Sequence, residues 1–176
     1  MRASSQRRSR LPGAVRRASA PRLAVRRATL SDAEDIAELR IALLLEEVGA
    51  KAAELRPDAR ERALELTRSQ LADSSQAFFV ATVAQRIVGM LRCSVARSSP
   101  LLRSDSYCLV TTAYVRPELR RRGVLSRLFE AVVAWCNERG LVELRLQCKT
   151  DNEIGLAAWK ALGFREVALV LSRSAS

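Results

Sequence analysis

Apolar positions along this chain change period several times, and each change marks an element. Leu23 to Thr29 alternates enough for a first strand. Ile36, Leu39, Leu43 and Leu44 then recur at helical spacing, so a helix should turn them inward. Ser31 and Glu34 form a capping box at its start, and Gly49 ends it. A second helix is expected over Pro57 to Leu71, with proline in the first turn where its missing N–H costs nothing. Ala77–Val83 and Arg86–Val95 read as a hairpin around Ala84-Gln85, although that turn has no glycine. After a polar loop at 96–105, Tyr107–Val115 is an apolar strand.

Leu125, Leu128, Phe129, Val132 and Cys136 return to helical spacing, with Arg127, Glu130, Asn137 and Glu138 on the other side and Gly140 at the end. Leu141–Cys148 is another strand. Asp151 or Asn152 caps a short helix ending at Gly163, and Phe164–Leu171 is a last strand. The order is therefore β-α-α-β-β-β-α-β-α-β. Consecutive hairpin strands pair antiparallel, while the later strand–helix–strand implies a parallel crossover. The expected fold is a single α/β domain over residues 23–174, a mixed and mostly antiparallel sheet with helices on both faces.

Charge changes the picture at one end only. The chain has 176 residues and a net charge of +11, but residues 1–31 hold nine arginines and no acid. Residues 32–176 carry 21 basic against 19 acidic groups, so the high pI says little about the domain itself. Residues 1–22 are rich in Arg, Ser and Ala, and three readings stand: a disordered extension, an organellar transit peptide, and an arm for RNA or membrane. No apolar run reaches a membrane span, so the domain is expected in the cytoplasm unless residues 1–22 address it to an organelle. No membrane partner is expected.

There is no histidine, which excludes Ser-His-Asp and Cys-His catalysis and any His-ligated metal. Cys93, Cys108, Cys136 and Cys148 form no C-x-x-C pair and lie in apolar patterns, so they read as buried thiols, and no metal site is expected.

The candidate chemistry lies in the turn from Val115 to Leu128. A strand end is followed by Arg120-Arg121-Arg122-Gly123 and then by a helix. Free N–H groups at a helix start and three arginines suit a phosphate, although an ordinary connector with solvated arginines reads equally well from these residues alone.

Arg120-Arg121-Arg122-Gly123-Val124-Leu125 resembles the acetyl-CoA motif [Q/R]-x-x-G-x-[G/A] of the GNAT superfamily of N-acetyltransferases. Asn152 to Phe164 resembles the family's second signature, N-x-x-A-x-x-x-Y-x-x-x-G-F. The order of elements between the two fits as well, and the resemblance spans about residues 23–173.

It implies an acetyl-CoA-dependent N-acetyltransferase whose acceptor is a small-molecule or peptide amine, working without a metal. It further implies that the backbone of Ala113, Tyr114 and Val115 holds the pantetheine arm where this strand splays from the next. Arg120, Arg121, Arg122, Gly123, Val124, Leu125 and Ser126 would hold the pyrophosphate, and Asn152 and Trp159 would contact the cofactor.

The sequence departs from the pattern at three places. Leu125 replaces glycine or alanine and should crowd the phosphate side. Trp159 replaces the tyrosine that protonates the leaving thiolate, and Thr111-Thr112 replace a carboxylate base. The catalytic acid and base are therefore open, with Trp159, Tyr114, Glu46 and Glu47 as candidates. Two rivals remain: a non-catalytic CoA-binding module of the same fold, and a nucleic-acid-associated protein acting through its arginine tail. Composition does not decide between a monomer and a dimer.

Overall fold

The computed structural model describes residues 22–49, 55–101 and 106–174. The basic N-terminal stretch, with the three readings attached to it, lies outside these residues apart from Arg22. Part of the loop expected at 96–105 lies outside them too. Nine principal elements follow in order: β1 (Ala24–Arg27), α1 (Ala33–Val48), α2 (Ala59–Ala72), β2 (Gln76–Val83), β3 (Arg86–Arg97), β4 (Ser106–Val115), α3 (Val124–Glu138), β5 (Leu144–Leu146) and α4 (Glu153–Ala161). One sheet runs β1-β2-β3-β4-β5. Its first three pairings are antiparallel, and β4–β5 is parallel because α3 carries the chain back across the sheet.

Both faces of the sheet are covered, which explains why β2 and β3 read as apolar runs rather than as alternating strands. On one face Leu128, Val132, Trp135 and Cys136 of α3 pack on Phe79, Leu91, Cys93, Cys108 and Val110. On the other, Ile36 and Leu39 of α1 pack on Phe78, Val80, Met90 and Tyr114. Each large side chain fully buried in these layers contributes about 1.5–3 kcal/mol. Gly89 is what lets α3 settle: a Cβ there would lie 3.0 Å from the Tyr114 carbonyl oxygen, 3.3 Å from Val115 and 3.4 Å from Val124, the first residue of α3. The β2–β3 turn takes positive φ at both Ala84 (48°) and Gln85 (68°), so the hairpin obtains its tight turn without glycine.

Several expectations are corrected. The capping carboxylate is Asp32, not Glu34. It accepts from the Thr29 N–H at 2.8 Å, and the Arg26 guanidinium holds it with two contacts of 2.7 Å. That pairing draws Asp32 inside, to 7% exposure, and starts a 3-10 turn before α1. Leu44 is 38% exposed. The stripe of α1 that meets the sheet runs Ile36–Leu39–Leu43 and bypasses Leu44, while Ile41 is buried at 7% exposure. Pro57 precedes α2, whose N-cap is Asp58 held by Arg56 and Arg62. The strand expected over Leu141–Cys148 is only the three residues of β5.

The last strand does not form. Residues 164–174 have no regular secondary structure, and Val167, Leu169, Val170 and Leu171 are 77–89% exposed. Three residues of β5 are a short template, and a run of consecutive apolar positions specifies no single face to turn inward.

Candidate active site

Two features of the backbone create the site. The first is a gap in the sheet. β4 pairs with β5 only through Cys108–Leu144, Leu109–Arg145 and Val110–Leu146, and the pairing ends there. Residues 111–115 continue along β3 with no strand paired to their other edge among the described residues, so that edge of β4 faces an opening. A bulge at Thr111 in the β3–β4 register, between Arg92–Thr112 and Cys93–Val110, bends the strand at this point. A cavity of about 220 Å³ lined by Leu109, Val110, Thr111 and Gln147 sits where the strands part.

The second feature is the start of α3. Gly123 takes φ +74° at its N-cap, with no side chain capping the helix. The first hydrogen bond of the turn runs from the Arg127 N–H to the Gly123 carbonyl at 3.2 Å. The N–H groups of Val124, Leu125 and Ser126 therefore have no carbonyl behind them. Beyond its chain neighbours, no atom of the described residues lies within 4 Å of where a Gly123 Cβ would stand. Arg121 also has positive φ (59°), and Arg120, Arg121 and Arg122 are exposed around this start. The place is open, positively polarised and rich in donors, which suits a diphosphate. Leu125 does not crowd it with its side chain, because that side chain packs on the α3-side core.

The last turn of α1 lies over the gap and touches both rims. On the β4 rim, the Tyr114 hydroxyl donates to Glu46 Oε1 at 2.9 Å, and Arg120 Nη2 donates to Glu46 Oε1 and Oε2 at 2.9 and 2.6 Å. Arg120 also gives its Nε–H to the Val115 carbonyl at 2.9 Å, and its guanidinium lies 5.5 Å from the Tyr114 ring centroid. On the β5 rim, Lys149 Nζ donates to the Glu47 carbonyl at 3.4 Å. Burial first, and then the Glu46 anion, push the Tyr114 phenol above its ordinary value. That phenol keeps its proton at neutral pH and donates it to Glu46. Burial, then Glu47 and Asp151, likewise push the Cys148 thiol up.

The remaining sequence-predicted residues fall as follows. Ala113, Tyr114 and Val115 lie on the unpaired part of β4. Asn152 caps α4, its Oδ1 accepting from the Gly155 N–H at 2.9 Å, so its carbonyl end is committed to the helix and its Nδ2 is the donor left over. Trp159 belongs to an aromatic cluster, with ring centroids 6.4 Å from Phe129 and 5.5 Å from Phe164, and it joins α4 to α3. Two relationships were missed by reasoning from sequence. Glu46 bridges Tyr114 to Arg120, a pairing across 68 and 74 residues that no local pattern announces. Arg92 donates from Nη1 to Thr111 Oγ1 at 2.9 Å. Its signal was present, since Arg92 is a charged residue inside an otherwise apolar strand. Cys93, Cys108 and Cys136 are buried, as expected of core thiols, whereas Cys148, also expected inside, is only partly buried because it lies beyond the end of β5.

Comparison with known proteins bears on this arrangement. The family model described as "Acetyltransferase (GNAT) family" matches residues 41–164. An aminoglycoside N(6')-acetyltransferase type 1 from Stenotrophomonas maltophilia is 32% identical over 162 residues, covering 88% of this chain and 92% of that protein. Among solved structures, a predicted acetyltransferase from Clostridium acetobutylicum with acetyl-CoA superposes with a TM-score of 0.74 at 17% identity, covering 87% of this chain and 96% of that one. The aminoglycoside N-acetyltransferase AAC(6')-Iy in complex with CoA gives 0.73 at 21% identity, over 93% and 100%. These two structural likenesses speak to the fold.

Proposed function

This chain belongs to the GNAT acetyltransferase family and is an acetyl-CoA-dependent N-acetyltransferase, and we propose that residues 23–174 transfer the acetyl group to a primary amine of a small molecule or peptide by direct attack. One observation carries the reading: the sheet opens at Val110–Leu146, and the opening leads along residues 111–115 to the uncapped start of α3. A stretch of β4 with no strand on its second edge, leading to free N–H groups at a helix start, fits an extended thioester with a diphosphate at its far end. When bound, acetyl-CoA supplies an acyl group activated by a good leaving thiolate.

The residues then have these roles. The N–H groups of Val124, Leu125 and Ser126, with Arg121 and Arg122, hold the diphosphate, and Gly123 leaves room for it to approach. Backbone groups of Ala113, Tyr114 and Val115 hold the arm and polarise the acyl carbonyl, and Asn152 Nδ2 donates from the other side. The acceptor amine attacks the acyl carbon, the new C–N bond replaces the C–S bond, and the proton lost from nitrogen balances the thiol released. Glu47, exposed beside the β5 rim, is the carboxylate best placed to collect that proton. Tyr114, kept protonated, is the donor on the β4 rim. Trp159 packs the site rather than moving a proton, since indole offers no acid. The similarity to a protein named for aminoglycoside acetylation supports a small-molecule acceptor.

Thiol release over a panel of simple amines, polyamines, aminoglycosides, amino acids and peptide N-termini tests the assignment. At least one class should release CoA in step with amide formation. Silence across the panel with acetyl-CoA demonstrably bound would overturn it.

A further inference from the structure

Two arginines on the α1 face of the sheet lack the partner that arginine usually finds. Arg40 of α1 and Arg92 of β3 both flank the Phe78 ring, their guanidinium carbons 6.0 and 5.9 Å from its centroid. Both side chains are half-buried. Their hydrogen-bond acceptors are all neutral: Gln70 Oε1 at 2.6 Å for Arg40, and Gln76 Oε1 at 2.9 and 2.6 Å with Thr111 Oγ1 at 2.9 Å for Arg92. Arg26, Arg120 and Arg145 instead take the carboxylates of Asp32, Glu46 and Glu143, while Arg27, Arg116 and Arg127 take backbone carbonyls at exposed or edge positions.

Asp73 is the acid whose charge Arg92 feels. Its oxygens are given to the Ser75 N–H and hydroxyl at 2.8 and 2.7 Å and to Gln76 Nε2 at 2.7 Å. Burial lowers the pKa of both arginines, and the charge on Arg92 lowers that of Arg40 further. Two like charges beside one ring, partly withdrawn from water and, among the described residues, with no carboxylate in direct contact, suit an anion.

Position gives the pair its meaning. Arg92 reaches Thr111, which lines the cavity where β4 and β5 part. The α3 side of the gap is where the diphosphate belongs, so an acceptor must approach the acyl carbon from the α1 face, where Arg92 stands. We propose that Arg92, supported by Arg40, is the acceptor's anion subsite, and that the amine acetylated here carries a carboxylate within a few bonds of its nitrogen. This rests on the N-acetyltransferase reading above. A guanidinium fork matches a carboxylate in two parallel contacts, while a polycationic acceptor would meet repulsion at the same place. A purely structural role, two cations stacked on Phe78, would leave acceptor choice untouched.

The test compares kcat/KM for matched acceptors with the full chain: lysine against cadaverine, tyrosine against tyramine, and kanamycin as a polycation. The carboxylated member of each pair should be preferred at least tenfold, with kanamycin poorer than either amino acid. Arg92→Gln should collapse that preference toward unity through KM, and Arg92→Lys should restore part of it. Arg40→Gln should reduce the preference about threefold and serves if Arg92→Gln does not fold. Equal or better turnover of the decarboxylated amines or of kanamycin overturns the subsite but leaves the transferase standing. So does a preference unchanged in both Gln variants. No turnover of any amine with acetyl-CoA bound overturns the transferase reading and the subsite together.

Discussion

Gly123→Ala separates a phosphate cradle from a plain connector, because the two readings disagree on affinity and agree on stability. At φ +74° an alanine is strained by about 1–2 kcal/mol, and its stiffer unfolded chain returns about 0.4–1 kcal/mol. Beyond the adjoining residues, no atom of the described chain lies within 4 Å of the new methyl, so no clash adds to this. The net loss should be about 0.5–1 kcal/mol, which for a chain of this size lowers Tm by about 1–4 °C.

The methyl would instead occupy the space in front of the open N–H groups of α3. Displacing one hydrogen bond to a charged oxygen costs about 1.5–3 kcal/mol, which is about a tenfold to a hundredfold rise in the Kd of CoA. Calorimetric titration with CoA and with S-acetyl-pantetheine, which has no diphosphate, makes the comparison internal. CoA should weaken and the fragment should not. A variant that loses its expected few degrees of Tm yet binds CoA within twofold of the parent would refute the cradle.

Other expectations are more compact. Glu46→Gln frees Arg120 from an ion pair whose side chains are 38% and 42% exposed, a contact of about 0.2–1 kcal/mol. Acetyl-CoA should then bind up to about fivefold more tightly in the same titration, and weaker binding contradicts the pairing seen here. Arg26 first, and then the Thr29 N–H, draw the Asp32 carboxyl from its ordinary value of 3.8 down to about 2. Because the folded value is the lower one, the stabilisation is complete above about pH 4 and is lost as pH falls toward 2, and it amounts to about 2 kcal/mol. Urea unfolding at pH 7, 4 and 3 should show that loss in the parent chain, while Asp32→Asn should be weaker by a similar amount at pH 7 and flatter in acid. Gly89→Ala pushes Val115 and Val124 off β3 and should cost about 1–3 kcal/mol, read as a drop in Tm, with weaker CoA binding because the start of α3 shifts.

Much of this architecture is written in local pattern. The face Leu128, Val132 and Cys136 was legible because a helix repeats every 3.6 residues, and β2 to β4 because apolar runs of their length between turns suit strands. The arginine turn was legible because Gly123 and its neighbours are contiguous. Where reading from sequence failed, a distant partner decided. Ser31 and Glu34 lost the cap to Thr29 and Asp32 because Arg26 reaches across to that carboxylate. Phe164–Leu171 has strand composition, but a three-residue β5 offers too little edge for it to join.

The site divides in the same way. Residues 113–115 and 120–126, proposed to hold the cofactor, could be singled out through the family resemblance, since each is a short contiguous segment. The bridge from Tyr114 through Glu46 to Arg120 could not, nor could the pair Arg40 and Arg92 around Phe78. Their meeting depends on how α1 lies across the sheet and on where β4 leaves β5. Periodicity tells a residue which face it is on; only packing tells it which charge it will meet there.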